Sequence, residues 1–275
     1  MDLTAQDREK LKNIQMELLK DFIAVCEKLG LRYYAIGGTA LGVVRHGGYI
    51  PWDDDIDVAM MREDYEIFLK EGQSHLKDGY FLQTFDTDGF PGNYAKIRDE
   101  NTTFVETSVE HLPISHGVYI DIFPLDYYPT EDVEAHTAKK QKLAVDLACM
   151  VGFHGVPFKR KVRMLLGKIS LAFKPSLNST KKIILAREAL FKGVPPTDVV
   201  VNNSGDWVAM PIEAFGEGVK MSFDGLEINM PKDYDTYLSR LYGDYMTPPP
   251  EDKRVPHHYA TDFCAEESYK TRWKR

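Results

Sequence analysis

Apolar residues in the first thirty positions recur at steps of three and four, which predicts a long amphipathic helix. The residues that keep this spacing are Leu11, Ile14, Leu18, Phe22, Val25 and Leu29. Thr4 and Asp7 have the spacing of a capping box, and Gly30 stands where such a helix would end. We therefore expect one helix over residues 4–29.

Shorter β-prone and helical stretches alternate through the rest of the chain. A strand over residues 31–36 is expected to lead into a glycine turn, Gly37-Gly38-Thr39, and a short helix over residues 40–45. Further strands are predicted at 55–60, 80–85, 94–97, 103–105 and 118–123, and further helices at 62–76, 131–151, 158–173, 181–191 and 234–242. The Asp-Gly pair at 224–225 predicts a hairpin over residues 219–230. The pattern indicates an α+β fold with helices packed against one sheet.

Composition narrows the class of protein. The chain has 275 residues, a net charge of −8 and a 43% hydrophobic share, so it can bury a core and is not expected to be disordered. Its three cysteines are far apart and in no metal-binding spacing, which fits a reducing compartment. We find no secretory signal, no run of apolar residues long enough to span a bilayer and no basic stripe for nucleic acid. We expect a cytoplasmic protein with one domain over residues 1–275.

The strongest chemical signal is the acidic string PWDDDIDV at residues 51–58. On a strand, Asp53, Asp55 and Asp57 would share one face, while Ile56 and Val58 would face the core. Closely spaced carboxylates repel each other, and a hard cation such as Mg²⁺ or Mn²⁺ relieves that repulsion through oxygen ligands. A solvated acidic loop is the alternative. An EF-hand is disfavoured, because its sixth position needs a glycine.

Two further features belong with the acidic string. The Gly37-Gly38-Thr39 turn lies between a predicted strand and a helix, where backbone N–H groups can receive a phosphate, although a simple tight turn would look the same. Asp121 stands alone in the apolar strand YIDIF. A buried carboxylate is costly unless it is paired, so Asp121 is either a third metal ligand, a base for an acceptor hydroxyl, or a salt-bridged structural acid.

Longer strings carry a resemblance to a known family. GGTALGVVRHGGYIPWDDDIDVAM, GVYIDIFPLD and YGDYMTPPPE are similar to the LicD family of phosphocholine and related phospho-alcohol transferases, within the nucleotidyltransferase (polymerase-beta-like) superfamily. The resemblance covers residues 21–258 and is densest over residues 37–58. It implies a mixed sheet flanked by helices, with a catalytic core over about residues 21–126 and a helical and hairpin elaboration over about 131–258.

The resemblance also implies an activity and a site. The activity is metal-dependent transfer of phosphocholine, or a similar phospho-alcohol, from CDP-choline or a related CDP-alcohol to a hydroxyl of a cell-surface glycan, such as teichoic acid or lipopolysaccharide, or its lipid-linked precursor. Asp55, Asp57 and Asp121 fall on the catalytic and metal-binding acids, and the role of Asp53 stays open. The glycine turn, Gly37, Gly38 and Thr39, falls on the phosphate-binding motif.

Other side chains are candidates for the donor. Arg45 and His46 lie between the glycine turn and the acids, and Lys96 and Arg98 share one face of a predicted strand, so all four are candidate phosphate contacts or structural charges. A choline headgroup needs aromatic faces, and we predict Trp52, with Tyr49 and Tyr94 as alternatives.

The segment 158–174 reverses the charge of the chain. It contains six basic residues and no acid, with apolar residues at helical spacing. It would suit the anionic inner face of the plasma membrane, where a lipid-linked acceptor would be presented, or it is a core-packing helix with a solvated basic face.

Two alternative functions remain at this point. The same fold could transfer a nucleotidyl group to a small molecule, which differs only in the phosphorus attacked. A non-catalytic cation- or glycan-binding protein could also retain the acids. The alcohol, the acceptor sugar and the oligomeric state do not follow from one sequence.

Overall fold

The computed structural model describes residues 1, 3–152, 157–205, 208–255 and 258–273. Within these ranges the helices are α1 (Ala5–Leu29), α2 (Gly37–His46), α3 (Arg62–Glu71), α4 (Phe85–Asp88), α5 (Val133–Val151), α6 (Phe158–Ala172), α7 (Thr180–Lys192), α8 (Tyr234–Tyr242) and α9 (Tyr269–Arg272). The strands are β1 (Tyr34–Ala35), β2 (Asp57–Met61), β3 (Tyr80–Gln83), β4 (Ala95–Asp99), β5 (Thr103–Glu106), β6 (Val118–Tyr127), β7 (Val199–Asn202), β8 (Met210–Pro211), β9 (Val219–Phe223), β10 (Leu226–Met230) and β11 (Ala260–Cys264). Single 3₁₀ turns lie at Gly72–His75, Ile212–Ala214 and Glu251–Lys253.

The main sheet is mixed, as the fold class predicted. Its strands run in the order β1-β2-β6-β4-β3, and β7 and β8 continue it from the far end of β6. β2 and β6 are parallel, and the other pairings are antiparallel. Helix α1 packs on β4 and β6, α2 and α3 lie against β2, and α7 contacts β6. The two parallel strands at the centre place Asp57, the first residue of β2, beside Asp121 in β6, and the candidate site lies there.

The two largest of the three apolar clusters among the described residues form most of the core. The larger one lies around the main sheet and α1 and includes Leu18, Phe22 and Ile122, all fully buried. A second cluster joins α5, α6 and α7 through Leu147, Met164 and other buried residues. The helical part after residue 131 therefore has an apolar core of its own. No helix within the described ranges combines the length and the apolar character that crossing a bilayer requires.

Several local predictions are confirmed. The Thr4 hydroxyl accepts a hydrogen bond from the Asp7 N–H, and the Asp7 carboxylate accepts one from the Thr4 N–H, so the capping box is formed. Gly30 ends α1 in the left-handed conformation, with φ of 67°. Asp224 and Gly225 both have positive φ at the tip of the β9–β10 hairpin, as a tight Asp-Gly turn needs.

Other boundaries were wrong. The acidic strand begins at Asp57 and not at residue 55, because the preceding acids lie in an irregular segment where the Asp54 carboxylate bonds to His258. The predicted strand over residues 31–36 shrinks to the two residues that pair with β2, and α2 begins at Gly37 and not at residue 40. Strand β5 does not join the main sheet but pairs with β11, a strand that was not predicted. Strands β7 and β8 were also missed.

Candidate active site

Three charged side chains stand in one row across the main sheet. Asp57, the first residue of β2, is the register partner of Asp121 in β6, and Asp121 is the register partner of Lys96 in β4. Register partners point to the same face of a sheet. The row therefore brings together an acid from the DDDID string and the lone acid of YIDIF, as the sequence analysis expected of one site.

Three of the four aspartates at residues 53–57 line one cavity of about 450 Å³. Asp53, Asp55 and Asp57 all contribute to its wall, whereas Asp54 and Ile56 are buried behind it. The alternation of faces thus holds although only Asp57 is in a strand. The other residues of the wall are Gly37, Gly38, Leu41, Arg45, Ile50, Trp52, Tyr242, Asp244, Tyr245, Thr247, Pro249 and Lys253.

The glycine turn packs directly against the acids. A Cβ on Gly37 would lie 3.1 Å from an Asp57 carboxylate oxygen, and one on Gly38 would lie 2.5 Å from an Asp53 carboxylate oxygen. Gly37 also has φ of 54°, a conformation that side-chain-bearing residues rarely adopt. The Thr39 hydroxyl accepts a 2.8 Å hydrogen bond from the Asp57 N–H. The Gly-Gly-Thr turn is therefore required for backbone to approach the acidic strand, at the N-terminus of α2.

A C-terminal segment that was given no role in the sequence analysis completes the cavity. The Gly37 N–H donates a buried 2.9 Å hydrogen bond to the Tyr237 hydroxyl in α8, and Tyr242, Asp244 and Lys253 line the cavity wall. Tyr242 and Asp244 lie in the string YGDYMTPPPE, so this part of the segment was visible in the sequence. The sequence did not show that this segment lies beside residues about 200 positions earlier in the chain.

A buried charge network continues from Asp121. The Lys96 ammonium lies 2.8 Å from Asp121 Oδ1 and 3.7 Å from Glu106 Oε1, with its side chain 1% exposed. Arg98 is fully buried and donates to Glu106 Oε2 at 2.7 Å. Tyr119 donates to the other Glu106 oxygen at 3.1 Å. The sequence analysis missed Glu106, because nothing in its local string distinguishes it from any acid at the end of a strand.

The carboxyl groups of the site differ in acidity. Burial raises the pKa of Asp121, and the nearby Lys96 ammonium opposes this without cancelling it. Burial also raises the pKa of Asp55, with the charges of Asp54 and Asp121 adding to the effect. Glu106 is the opposite case. Burial alone would raise its pKa, but the charges of Lys96 and Arg98 outweigh burial and lower it to about 2. Asp121 is thus a better proton acceptor than an ordinary aspartate, and Glu106 is a permanent anion.

A further set of potential metal ligands lies beside the cavity. Asp54, Asp55 and His258 offer ligand atoms that all lie within 4.8 Å of one another. The Asp54 carboxylate accepts a 3.0 Å hydrogen bond from the His258 N–H, and His258 Nδ1 lies 3.3 Å from Asp54 Oδ1. Burial lowers the pKa of His258, but the hydrogen bond to Asp54 and the charge of Asp55 raise it to about 9. A protonated His258 therefore balances part of the acidic charge.

The remaining predicted residues fall into two groups. Arg45 and Trp52 line the cavity, and Arg45 donates to the Tyr245 carbonyl at 3.0 Å. The guanidinium carbons of Arg45 and Arg254 lie 5.9 and 5.2 Å from the centre of the Trp52 ring. His46 is exposed, with its ring against the edge of Trp52, and is not part of the cavity wall. Arg98 lies behind Lys96, bonded to Gln83, Gly117 and Glu106.

The two alternative aromatic candidates lie elsewhere. Tyr49 donates to Gln15 and packs on Phe223, outside the cavity wall. The Tyr94 ring stacks on Phe123, with the Lys96 ammonium 5.4 Å from its centroid.

Comparison with known proteins identifies relatives. Residues 30–158 match the family model described as the LicD/FKTN/FKRP nucleotidyltransferase domain. The lipopolysaccharide cholinephosphotransferase LicD of Haemophilus influenzae is 29% identical over 260 residues, which cover 88% of this chain and 92% of that protein. An uncharacterized protein of Rickettsia typhi is 46% identical over 125 residues, or 44% of this chain and 40% of the relative.

A third relative matches over a shorter segment. The human ribitol 5-phosphate transferase FKRP is 44% identical over 48 residues, which are 18% of this chain and 10% of that protein. Residues 30–158 are therefore similar to the LicD/FKTN/FKRP nucleotidyltransferase domain, and the resemblance to the LicD family that the sequence motifs predict is confirmed.

Proposed function

We propose that this protein transfers phosphocholine, or a similar phospho-alcohol, from a CDP-linked donor to a hydroxyl of a cell-surface glycan or its lipid-linked precursor, within a nucleotidyltransferase-type fold. The observation that carries the proposal is the convergence of Asp53, Asp55 and Asp57 on one cavity beneath the glycine turn, with Asp121 in register beside Asp57. The LicD and FKRP relatives are named for cholinephosphate and ribitol-phosphate transfer, which supports the same class of chemistry here.

The donor set of the cavity fits a hard divalent cation. Three carboxylates line one wall, and burial together with like charges raises the pKa of Asp55, so the free site carries repulsion that a cation would relieve. We propose that Asp55 and Asp57 hold Mg²⁺ or Mn²⁺, with Asp53 and Asp121 as neighbouring oxygens. When bound, the ion would supply charge stabilisation to the diphosphate of the donor. Asp54 is bonded to His258 behind the wall, so we assign that pair to fastening the C-terminal segment.

The chain's own groups would hold the donor. Backbone N–H groups at the start of α2 meet the cavity where the first turn of a helix leaves donors without carbonyl partners. Arg45 and Lys253 add positive charge to the same wall. Trp52, Tyr242 and Tyr245 present aromatic faces, and Asp244 lies beside them, which is the combination that recognises a quaternary ammonium group.

The acceptor hydroxyl needs a group that orients it and takes its proton. We assign this to Asp121, whose pKa is raised by burial, so that its carboxylate is a stronger base than that of an ordinary aspartate. Lys96 holds the carboxylate through the 2.8 Å ion pair, and Glu106, itself paired with Arg98, holds Lys96 in turn. Lys96 and Arg98 therefore act through Asp121 and not on the donor phosphate.

Mass spectrometry tests the proposal. The protein would be incubated with Mg²⁺, a panel of glycan precursors and CDP-choline, CDP-ribitol or CDP-glycerol, with CMP release followed in parallel. We expect a phospho-alcohol adduct on one acceptor, and a loss of at least 1000-fold in rate for Asp57→Asn, on the order of a removed metal ligand. Asp78→Asn, an exposed acid far from the cavity, is the matched control.

Other products would favour the alternatives. An acceptor that gains a nucleotide would show a nucleotidyltransferase, and a protein that consumes none of the donors would favour a cation- or glycan-binding role.

We also propose that α6 docks the protein on the inner face of the plasma membrane, where a lipid-linked acceptor would be presented. Its apolar residues do not pack inward, because six are exposed, from 42% at Val162 to 83% at Phe173. At about 100° per residue these six fall within about 100° of one another. The exposed set is Phe158, Val162, Leu165, Leu166, Ile169 and Phe173. The opposite face is buried through Met164 and Leu171.

Charge favours an anionic lipid surface over a protein partner for this face. Six exposed basic residues flank the apolar stripe, and the segment contains no acid, although the chain as a whole has a charge of −8. Apolar side chains inserted between headgroups, with Lys and Arg beside them, are typical of interfacial helices.

Liposome co-sedimentation tests the docking proposal. The protein should sediment with vesicles that contain phosphatidylglycerol and should not sediment with vesicles of pure phosphatidylcholine. We expect the double variant Leu165→Glu with Ile169→Glu to reduce binding at least tenfold. Neutralisation of Lys159, Arg160, Lys161 and Arg163 should also reduce it at least tenfold, because each basic residue near an anionic membrane contributes about 1 kcal/mol to binding. Leu185→Glu, at an equally exposed position of α7, is the control. Unchanged binding in the α6 variants would rule the proposal out.

A further inference from the structure

A separate cavity, of about 240 Å³, shares no wall residue with the acid-lined one and includes Glu106, which lies 3.7 Å from Lys96. It lies between the loop that precedes β4, the end of β5, and helices α5 and α7. Glu106 and Tyr94 line it, and Lys96 is close to both, so the cavity adjoins the buried charge network. The full wall is formed by Phe90, Pro91, Gly92, Asn93, Tyr94, Glu106, Ser108, Val109, Ala144, Leu147, Ala148, Arg187 and Ser204.

Arg187 is the unusual member of this wall. Its side chain is 8% exposed, yet among the described residues no carboxylate lies within ion-pair distance of it and its Nε has no hydrogen-bond acceptor. Burial lowers the pKa of Arg187 to about 10, although a guanidinium still keeps its proton at neutral pH. A buried charge without an ion-pair partner is strongly unfavourable, so the guanidinium of Arg187 is expected to lower the stability of the folded protein.

The nearby carboxylates are already engaged with other cations. Glu188 contacts Arg62 at 3.2 Å and Lys192 at 3.5 Å, and Glu106 is held by Arg98 and Lys96. The positive charge of Arg187 is therefore not neutralised by an ion pair to the acids around the cavity.

Asn93 adds a second unsatisfied group to the same wall. Its Nδ2 donates to Glu188 at 3.0 Å, while its Oδ1 is buried and has no hydrogen-bond donor in the described structure. The cavity thus offers a cationic donor and a neutral acceptor, with the rings of Phe90 and Tyr94 beside them. A sugar that carries both an acidic group and free hydroxyls would satisfy the two together.

We propose that this cavity binds the acceptor glycan, and that Arg187 selects an acceptor with an anionic substituent, a phosphate or a carboxylate. The inference rests on the proposed function, because it assigns the second substrate of the same transfer. The donor would then approach Asp121 from the glycine turn and the acceptor from the side of Glu106 and Arg187. Asn93 Oδ1 would accept a hydrogen bond from a hydroxyl of the bound sugar.

Anion binding and folding stability test the cavity independently of catalysis. Isothermal titration with inorganic phosphate, D-glucuronate and D-glucose would be compared for the wild-type protein, Arg187→Met, Arg187→Lys and the matched control Lys181→Met, an exposed residue of the same helix. We expect phosphate or glucuronate to bind the wild type and the control, at least tenfold weaker binding to Arg187→Met, partial retention in Arg187→Lys, and no Arg187-dependent binding of glucose. Phosphate binding alone would indicate a phosphorylated sugar, and glucuronate alone a sugar acid.

The melting temperature of the free protein separates a binding role from a structural one. Methionine has a similar length without the charge, so Arg187→Met should melt at the same temperature as the wild type or higher. A lower melting temperature would mean that the guanidinium already has stabilising partners, and it would overturn the proposal. Equal anion affinity in the wild type and Arg187→Met would overturn it as well.

Kinetics distinguish failure of this inference from failure of the proposed function. Arg187→Met should raise the KM of the acceptor at least tenfold and the KM of the CDP-linked donor less than twofold. If transfer proceeds and the variant leaves the acceptor KM unchanged, the acceptor assignment is wrong and the function stands. If no donor is consumed while Arg187-dependent anion binding is measured, the transferase proposal is wrong and the cavity remains an anion site.

Discussion

Two arginines of this protein are buried to almost the same extent but have opposite surroundings. Arg62 at the start of α3 is 9% exposed and forms a two-pronged ion pair with Asp126, at 2.6 and 2.9 Å. Arg187 in α7 is 8% exposed and has no such partner in the described structure. The charge of Asp126 raises the pKa of Arg62 despite the opposing effect of burial, whereas burial lowers that of Arg187. Burial alone therefore does not reveal the role of a charged residue.

The same contrast separates the acids. Cations hold Asp126 and Glu106, and the pKa of Glu106 is lowered to about 2. The pKa values of Asp55 and Asp121 stay raised although His258 lies 3.5 Å from Asp55 and Lys96 lies 2.8 Å from Asp121. Groups that are satisfied within the chain stabilise the fold. We propose ligands for the carboxyl groups whose pKa values stay raised and for the buried Arg187 beside its cavity.

The largest expected effect comes from breaking the satisfied pair. Arg62→Met should lower the free energy of unfolding by about 3–5 kcal/mol, because it leaves the Asp126 carboxylate buried and without its cation. Urea denaturation followed by circular dichroism measures the change. Arg32→Met, which removes an exposed ion pair with Glu217, should cost less than about 1 kcal/mol.

A double variant distinguishes loss of the Arg62–Asp126 ion pair from a general disruption of the fold by methionine at position 62. Replacing both partners, Arg62→Met with Asp126→Leu, should recover much of the lost stability, because neither charge is then left buried alone. If the single variant is as stable as Arg62→Met with Asp126→Leu, the pair is not a structural unit and the contrast with Arg187 has no basis.

A second test uses the pH dependence of stability. Glu106 has a folded pKa of about 2 against an ordinary value of 4.5, so its contribution is present in full above pH 4.5 and is lost as the pH falls toward 2. At 1.36 kcal/mol per pKa unit, the loss should reach about 2 kcal/mol by pH 3. We expect urea midpoints measured at pH 5.5 and pH 3 to converge for the wild type and Glu106→Gln. Parallel curves for the two proteins would show that Lys96 and Arg98 do not stabilise the ionised form of Glu106.

Much of this site was predictable from the sequence, since its motifs are local strings. The glycine turn and the DDDID acids are close in sequence, and alternation correctly assigned Asp53, Asp55 and Asp57 to one wall. Glu106, His258 and Tyr237 were not predicted, because their roles depend on contacts with residues up to 204 positions away. Arg187 was also not predicted, because a basic residue on an amphipathic helix is ordinarily exposed.

The fold was predictable to a similar degree. Periodicity and caps gave α1 and the β9–β10 hairpin, because each forms from adjacent residues. The sequence pattern did not predict β11, because its five residues form a strand by pairing with β5, which is distant in sequence. It also misjudged β5, since a short β-prone run does not specify its sheet.

The smallest expected effect concerns a neutral satisfied group beneath the glycine turn. Tyr237→Phe removes the hydroxyl that accepts the Gly37 N–H and should lower the free energy of unfolding by about 1 kcal/mol, the net value of one buried hydrogen bond. Tyr234→Phe, in the first turn of the same helix, should change it by less than about 0.5 kcal/mol. Because Gly37 lies against Asp57, the rate of transfer should fall further than this stability loss accounts for, and activity measured well below the melting temperature separates the two effects. If Tyr237→Phe loses stability and keeps full activity, the hydroxyl only supports α2 and does not position the turn for the donor.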